Sequence, residues 1–150
     1  MSLAEEVELL RSIPLFARME PAKLKLLAFT SERLTFDPAQ ELCHQGEPGD
    51  AAYLVIEGEV AISIDSPSGP IELARLSRGA IVGEIAILCD VPRTATVTAV
   101  GKTVTLRVSK ELFFRLVTEF PQIAIEIMRE LAHRLEKTNL QLRAARAGQK

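Results

Sequence analysis

Two cysteines, no tryptophan and no surplus of basic charge set the first bounds on this 150-residue chain. Cys43 and Cys89 stand at no metal-type spacing and cannot build a disulfide framework, which excludes a zinc module and a disulfide-rich secreted scaffold. With 18 basic against 20 acidic groups the net charge is −2, so no global positive field draws in nucleic acid. Any anion site must therefore be local. No apolar run approaches the ~20 residues of a membrane-spanning helix, and the N-terminus lacks a basic segment followed by an apolar signal core. A cytoplasmic protein without membrane attachment is the simplest expectation. His44 and His133 lie far apart and neither has a second ligand at metal spacing, so no metal is expected. Nor does any nucleophile–base pair or second carboxylate suggest hydrolysis, and the expectation is a protein that is not an enzyme.

What is present fits one soluble domain over residues 1–150, with 47% hydrophobic and 25% charged residues. Residues 1–30 form a helical segment, with apolar residues at helical spacing in Ala4–Ser12 and Pro21–Phe29 (Val7, Leu10; Leu24, Leu27, Ala28). Residues 31–108 alternate in polarity and are broken by turn signals at Asp37-Pro38, Gly46 to Asp50, Glu57-Gly58 and Ser66 to Pro70. Strands are expected to continue through Ile71–Leu76, Ala80–Val82, Thr94–Val100 and Thr103–Val108. Many short strands at close spacing predict an antiparallel β sandwich or jelly-roll barrel. In residues 109–147, Ser109 suits the N-cap of a helix through Val117, and Pro121 the first turn of a longer helix reaching about Ala145.

The stretch Gly83 to Val97 interrupts the strands with one apolar turn and places Glu84 and Arg93 nine residues apart. Arg offers a fixed fork of donors that matches phosphate oxygens, and Glu accepts hydrogen bonds from sugar hydroxyls. Gly83 permits close backbone approach, and the turn Glu84–Leu88 can aim N–H groups at the same anion. Taken alone, the pair also fits a surface Glu and Arg beside a tight turn. Arg75, Arg78 and Arg107 read as solvated charges, and Thr96 as ordinary strand polarity. Ile71, Leu73, Ile81, Val82, Ile85 and Leu88 read mainly as core.

Gly83-Glu84-Ile85-Ala86-Ile87-Leu88, a short spacer and Pro92-Arg93-Thr94-Ala95-Thr96-Val97 resemble the phosphate-binding cassette of cyclic-nucleotide-binding domains. Gln45 to Asp50 followed by Tyr53 to Val60 resembles the glycine-punctuated hairpin of that family, and Pro14-Leu15-Phe16 its N-terminal segment. The resemblance implies a double-stranded β-helix with N-terminal helices, a cassette over residues 83–97 and a long C-terminal helix. It implies cAMP or cGMP as ligand and no further cofactor. Glu84 would hold the ribose 2′-hydroxyl, Arg93 the cyclic phosphate, and Thr94 the phosphate or base edge, beside Gly83, Ile85, Ala86 and Ala95. A hydroxyl at position 94 is associated in the family with tolerance of guanine.

In the last helix Ala124, Met128, Leu131, Leu135, Thr138, Leu142 and Ala145 recur at alternating spacings of four and three, a coiled-coil seam. The seam suits a homodimer, or equally a helix laid on its own barrel. Thr138-Asn139 resembles the Thr-Ser pair of the catabolite activator's long helix. That likeness implies a base contact from Thr138, and one from Asn139 of a facing subunit. The sequence stops where activator-type relatives begin a helix-turn-helix, so no DNA binding by this chain is expected. The expectation is a regulatory receptor that signals through its C-terminal helix to a second subunit or an unknown downstream protein. A structural module with an idle site, or the sensor part of a transcription regulator, are the alternatives.

Overall fold

The computed structural model describes residues 2–13 and 16–147. Pro14, Leu15 and Lys150 lie outside the described residues, as do the side chains of Thr138, Leu142, Ala145 and Arg146. The chain divides into two compact units, Met1–Arg115 and Leu116–Lys150.

The first unit opens with α1 (Leu3–Arg11), whose N-cap Ser2 accepts the Glu5 N–H at 3.2 Å and so satisfies an otherwise orphaned donor. Helix α2 (Pro21–Thr30) begins on proline, where a missing N–H costs nothing. Leu10 of α1 and Leu24 and Leu27 of α2 are fully buried where the two helices pack.

Eight strands follow: β1 (Glu32–Phe36), β2 (Glu41–Cys43), β3 (Ala51–Glu57), β4 (Glu59–Ile64), β5 (Ile71–Ser77), β6 (Ile81–Val82), β7 (Thr96–Ala99) and β8 (Thr103–Ser109). They form two antiparallel four-stranded sheets, ordered β1-β8-β3-β6 and β2-β7-β4-β5. This is the expected jelly roll, built as two facing sheets. Between β6 and β7 lies the short helix α3 (Glu84–Cys89). Phe36, Leu42, Tyr53, Val55, Val60, Val82, Val97 and Ala99 form the core of the roll. Phe36 and Tyr53 meet edge to face with ring centroids 6.3 Å apart, the arrangement aromatic quadrupoles favour.

Four of the residues read as core are not. Ile81 and Val82 are buried, but Ile71, Leu73, Ile85 and Leu88 are exposed. The reason is position: β5 is an edge strand of its sheet, and α3 is too short to be covered on every side. The strand expected from Thr94 begins instead at Thr96. Upstream of it, Gly46 N–H donates to Arg93 O at 2.9 Å and Arg93 N–H donates to Glu47 O at 2.8 Å, which ties this segment to the β2–β3 loop.

Thr105 of β8 is fully buried, pairs with Leu34 and Val55, and its Oγ1 has no hydrogen-bond partner. A buried unsatisfied hydroxyl costs about 1–3 kcal/mol in desolvation. Thr105→Val is therefore expected to stabilise the protein by about 1 kcal/mol, read as a higher urea midpoint at unchanged m. Thr103→Val serves as the contrast, because the Thr103 hydroxyl donates to a carbonyl: its contacts are Gly101 O at 2.9 Å and Glu59 O at 3.1 Å.

Helix α4 (Lys110–Glu119) starts as the sequence predicts, with Ser109 Oγ accepting the Leu112 N–H at 3.2 Å. It runs two residues past Val117. The second unit holds the end of α4 and the 27-residue α5 (Pro121–Ala147), which starts on its expected proline. Along α5, ion pairs Arg129–Glu126 (2.9 Å) and Arg134–Glu130 (2.7 Å) brace successive turns. Of the predicted seam, Met128 and Leu135 are exposed.

Candidate functional site

Arg93 is the organising side chain. Although charged, it is only 5% exposed, and burial of a guanidinium requires hydrogen-bond partners. It finds them on the backbone: Nη1 donates to Gly83 O at 2.9 Å and Nη2 to Ala51 O at 2.7 Å. Carbonyls satisfy donors without neutralising charge. The carboxylate of Asp50 stands 3.8 Å away on an exposed side chain and also lies 3.3 Å from Arg107 Nη2. With five N–H donors on a guanidinium, Arg93 keeps capacity for an anion.

The backbone around it is shaped by close approach. Gly83, the N-cap of α3, has φ +85°, and a Cβ built there would fall 2.5 Å from Arg93 Nη1. Gly49 packs so tightly that its Cβ would lie 2.3 Å from Ala86 Cβ. These two glycines let the β2–β3 loop, the start of α3 and Arg93 share one small volume. Glu84, the first residue of α3, is 1% exposed. The reading of Glu84 and Arg93 as a surface pair is thereby excluded.

The remaining expected site residues differ in their surroundings. Ala86 is buried under Gly49, Ile85 projects from α3 into solvent, Thr94 is exposed, and Ala95 is partly buried. Thr94 and Ala95 precede β7 rather than lie in it. Asn139 is exposed on α5, in the second unit; the side chain of Thr138 is outside the described residues.

Other contacts were not legible from the sequence. Thr96 is buried and its Oγ1 accepts the Gln45 N–H at 3.0 Å, so it pins the β2–β3 loop and is not simple strand polarity. Arg107, read as solvated, is partly buried and pairs with Asp50 and, at 3.9 Å, with Glu32. Arg78 donates to the Ser12 hydroxyl. Arg78 and Arg75 match that reading, both exposed, with Arg75 paired with Glu72 at 2.9 Å. Asp50 stood in the glycine-punctuated hairpin, but nothing in its spacing pointed to Arg93.

Electrostatics around the guanidinium follow burial. Burial pushes the Tyr53 phenol up, against the positive charges of Arg93 and Arg107. Burial likewise pushes the Cys43 thiol up, opposed by Arg93, which favours the unreactive thiol at neutral pH. Outside this cluster, a hydrogen bond from the exposed His44 ring to Glu41 at 2.8 Å raises the His44 pKa. Among the described residues no cluster of three His, Cys, Asp or Glu could hold a metal, and no helix is long and apolar enough to cross a membrane.

A model of the cyclic nucleotide-binding domain matches residues 33–120. The chain is 33% identical over 125 residues to a cyclic nucleotide-gated potassium channel of Mesorhizobium japonicum, covering 83% of this chain and 33% of that protein. It is 32% identical over 123 residues to a cAMP-dependent protein kinase regulatory subunit of Dictyostelium discoideum, covering 79% of this chain and 36% of the relative. Among solved structures, the catabolite activator protein of Thermus thermophilus superposes with a TM-score of 0.75 at 29% identity, over 88% of this chain and 62% of that one. The chain thus spans about a third of the length of the two curated relatives.

Proposed function

Because the chain belongs to the cyclic nucleotide-binding domain family, we propose that it is a non-catalytic receptor for a cyclic purine nucleotide, cAMP or cGMP, with residues 83–97 as its ligand cassette. The observation that carries this reading is the buried Arg93, held by two carbonyls that orient its charge without cancelling it. A cyclic phosphate is the anion suited to its remaining donors. Glu84 is the acceptor for the ribose 2′-hydroxyl, Gly83, Ile85 and Ala86 bring backbone to the ligand, and Thr94 and Ala95 border the phosphate and base. The exposed Leu73 and Ile85 are available as apolar wall.

The same reading assigns output to α5. Occupancy shifts the balance between two positions of that helix by the ligand's differential affinity for them. Thr138 and Asn139 supply base contacts, and the exposed Met128 and Leu135 offer a seam to a second subunit. Calorimetric titration with cAMP and cGMP is the direct test. Heat of binding with at least one nucleotide is expected; none with either at high micromolar concentration would leave the fold as an interaction module with an idle site.

The sugar contact has its own test. Glu84→Gln replaces an acceptor-only carboxylate with an amide that offers one acceptor oxygen. The variant is expected to lose several-fold of the parent's preference for ribose over 2′-deoxyribose nucleotides. Undiminished discrimination in competition titrations would place the sugar elsewhere.

A further inference from the structure

Helix α2 carries apolar residues on two opposite sides. At 100° per residue, Leu24, Leu27 and Ala28 form its buried face, while Ala22, Leu26 and Phe29 form a stripe on the side directly opposite. Phe29 is 79% exposed and Leu26 48%. A helix packed by one face ordinarily turns polar residues outward, and a contiguous exposed apolar stripe marks an interaction surface. Exposed lysines line both edges of this one, Lys25 on one side and Lys23 on the other. Lys25 makes no ion pair with any described residue.

We propose that the outward face of α2 docks an amphipathic acidic helix of a partner protein, whose apolar residues cover Leu26 and Phe29 and whose carboxylates meet Lys25 at the edge of the stripe. The ridge of Ala22, Leu26 and Phe29 has the i, i+4, i+7 spacing that another helix can straddle. The charge pattern selects the occupant. A second copy pairing this face with itself would set lysine against lysine, because a two-fold contact repeats the same charges on both sides. An anionic membrane is disfavoured too: two lysines fall short of the roughly 4–8 basic residues of a lipid-binding cluster, and the chain's net charge is −2. The docking is independent of the nucleotide site, and its test does not use nucleotide.

The test titrates the isotope-labelled 150-residue protein with a synthetic helical peptide bearing leucines at i, i+3, i+4 and i+7 and glutamates on both flanks. Amide shifts confined to α2 and its surroundings are expected, with Phe29→Ser weakening the peptide at least tenfold at an unchanged unfolding midpoint. Should Phe29→Ser fold poorly, Leu26→Ser provides the same readout. Lys25→Glu is expected to weaken the glutamate peptide and strengthen its lysine-flanked counterpart. Equal binding of both peptides by the parent, or shifts only elsewhere, would overturn the proposal. So would a dimer in sedimentation that Phe29→Ser dissociates, or co-sedimentation with phosphatidylserine vesicles that Phe29→Ser abolishes; these reassign the face to a second copy or a membrane.

Discussion

Arg93→Lys is expected to weaken cyclic nucleotide binding by at least about tenfold while leaving most of the fold intact. A charge-assisted hydrogen bond contributes about 1.5–3 kcal/mol, which corresponds to roughly 10–150-fold in affinity. Lysine keeps the charge but loses the planar fork, and here the fork has two tasks. It holds the carbonyls of Gly83 and Ala51 at 2.9 and 2.7 Å, and its remaining donors face the anion. An ammonium cannot reproduce that rigid arrangement from a flexible stem. Arg93→Ala removes the charge as well and leaves both carbonyls without their donor, so its affinity loss is expected to be the larger. Calorimetry on both variants checks the order, parent above lysine above alanine. Equal affinity in all three would mean that the phosphate does not rest on this side chain.

Gly83→Ala is expected to reduce binding by a comparable factor through the same guanidinium. At φ +85° a side chain is strained, at about 1–2 kcal/mol for a left-handed non-glycine residue. The added Cβ would also stand 2.5 Å from Arg93 Nη1 and 3.2 Å from Ala51 O. Of those neighbours, the end of a long side chain yields more readily than backbone. Relief therefore comes by displacing the guanidinium from its carbonyl seat. The signature is an affinity loss out of proportion to the stability loss, measured by titration beside urea unfolding. A variant that binds normally would show that the guanidinium position is not what the ligand requires. Gly58→Ala makes an informative contrast, since its Cβ would meet Lys102 O at 2.6 Å, a backbone collision that costs stability without touching Arg93.

Much of the architecture could be read from local chemistry. Ser109 caps α4 and Pro21 and Pro121 start their helices, because caps and first turns are decided by one residue and its immediate neighbours. The run of short alternating strands gave the jelly roll for a similar reason: alternation reports a face, whatever partner covers it. Burial was harder. Leu73 and Leu88 are as apolar as Leu54 or Leu106, yet they are exposed where those are buried. Hydropathy does not tell an edge strand from a central one.

The sequence on its own determined the residue types at the site: an acidic and a basic side chain nine apart, with glycines where backbone must come close. Only the tertiary structure decided their environment. It buried Glu84 and Arg93, seated the guanidinium on carbonyls of β3 and of the turn into α3, brought Asp50 and Arg107 to the same neighbourhood from two other places in the chain, and tied Thr96 to Gln45. Apart from the Arg93–Gly83 bond within the cassette, those contacts join residues some forty positions apart or more, which no periodicity records, because they arise from how two sheets fold over one another. The charge of a side chain is written in its formula; whether it faces water or a dry seat built of backbone oxygens depends on what the rest of the chain lays over it.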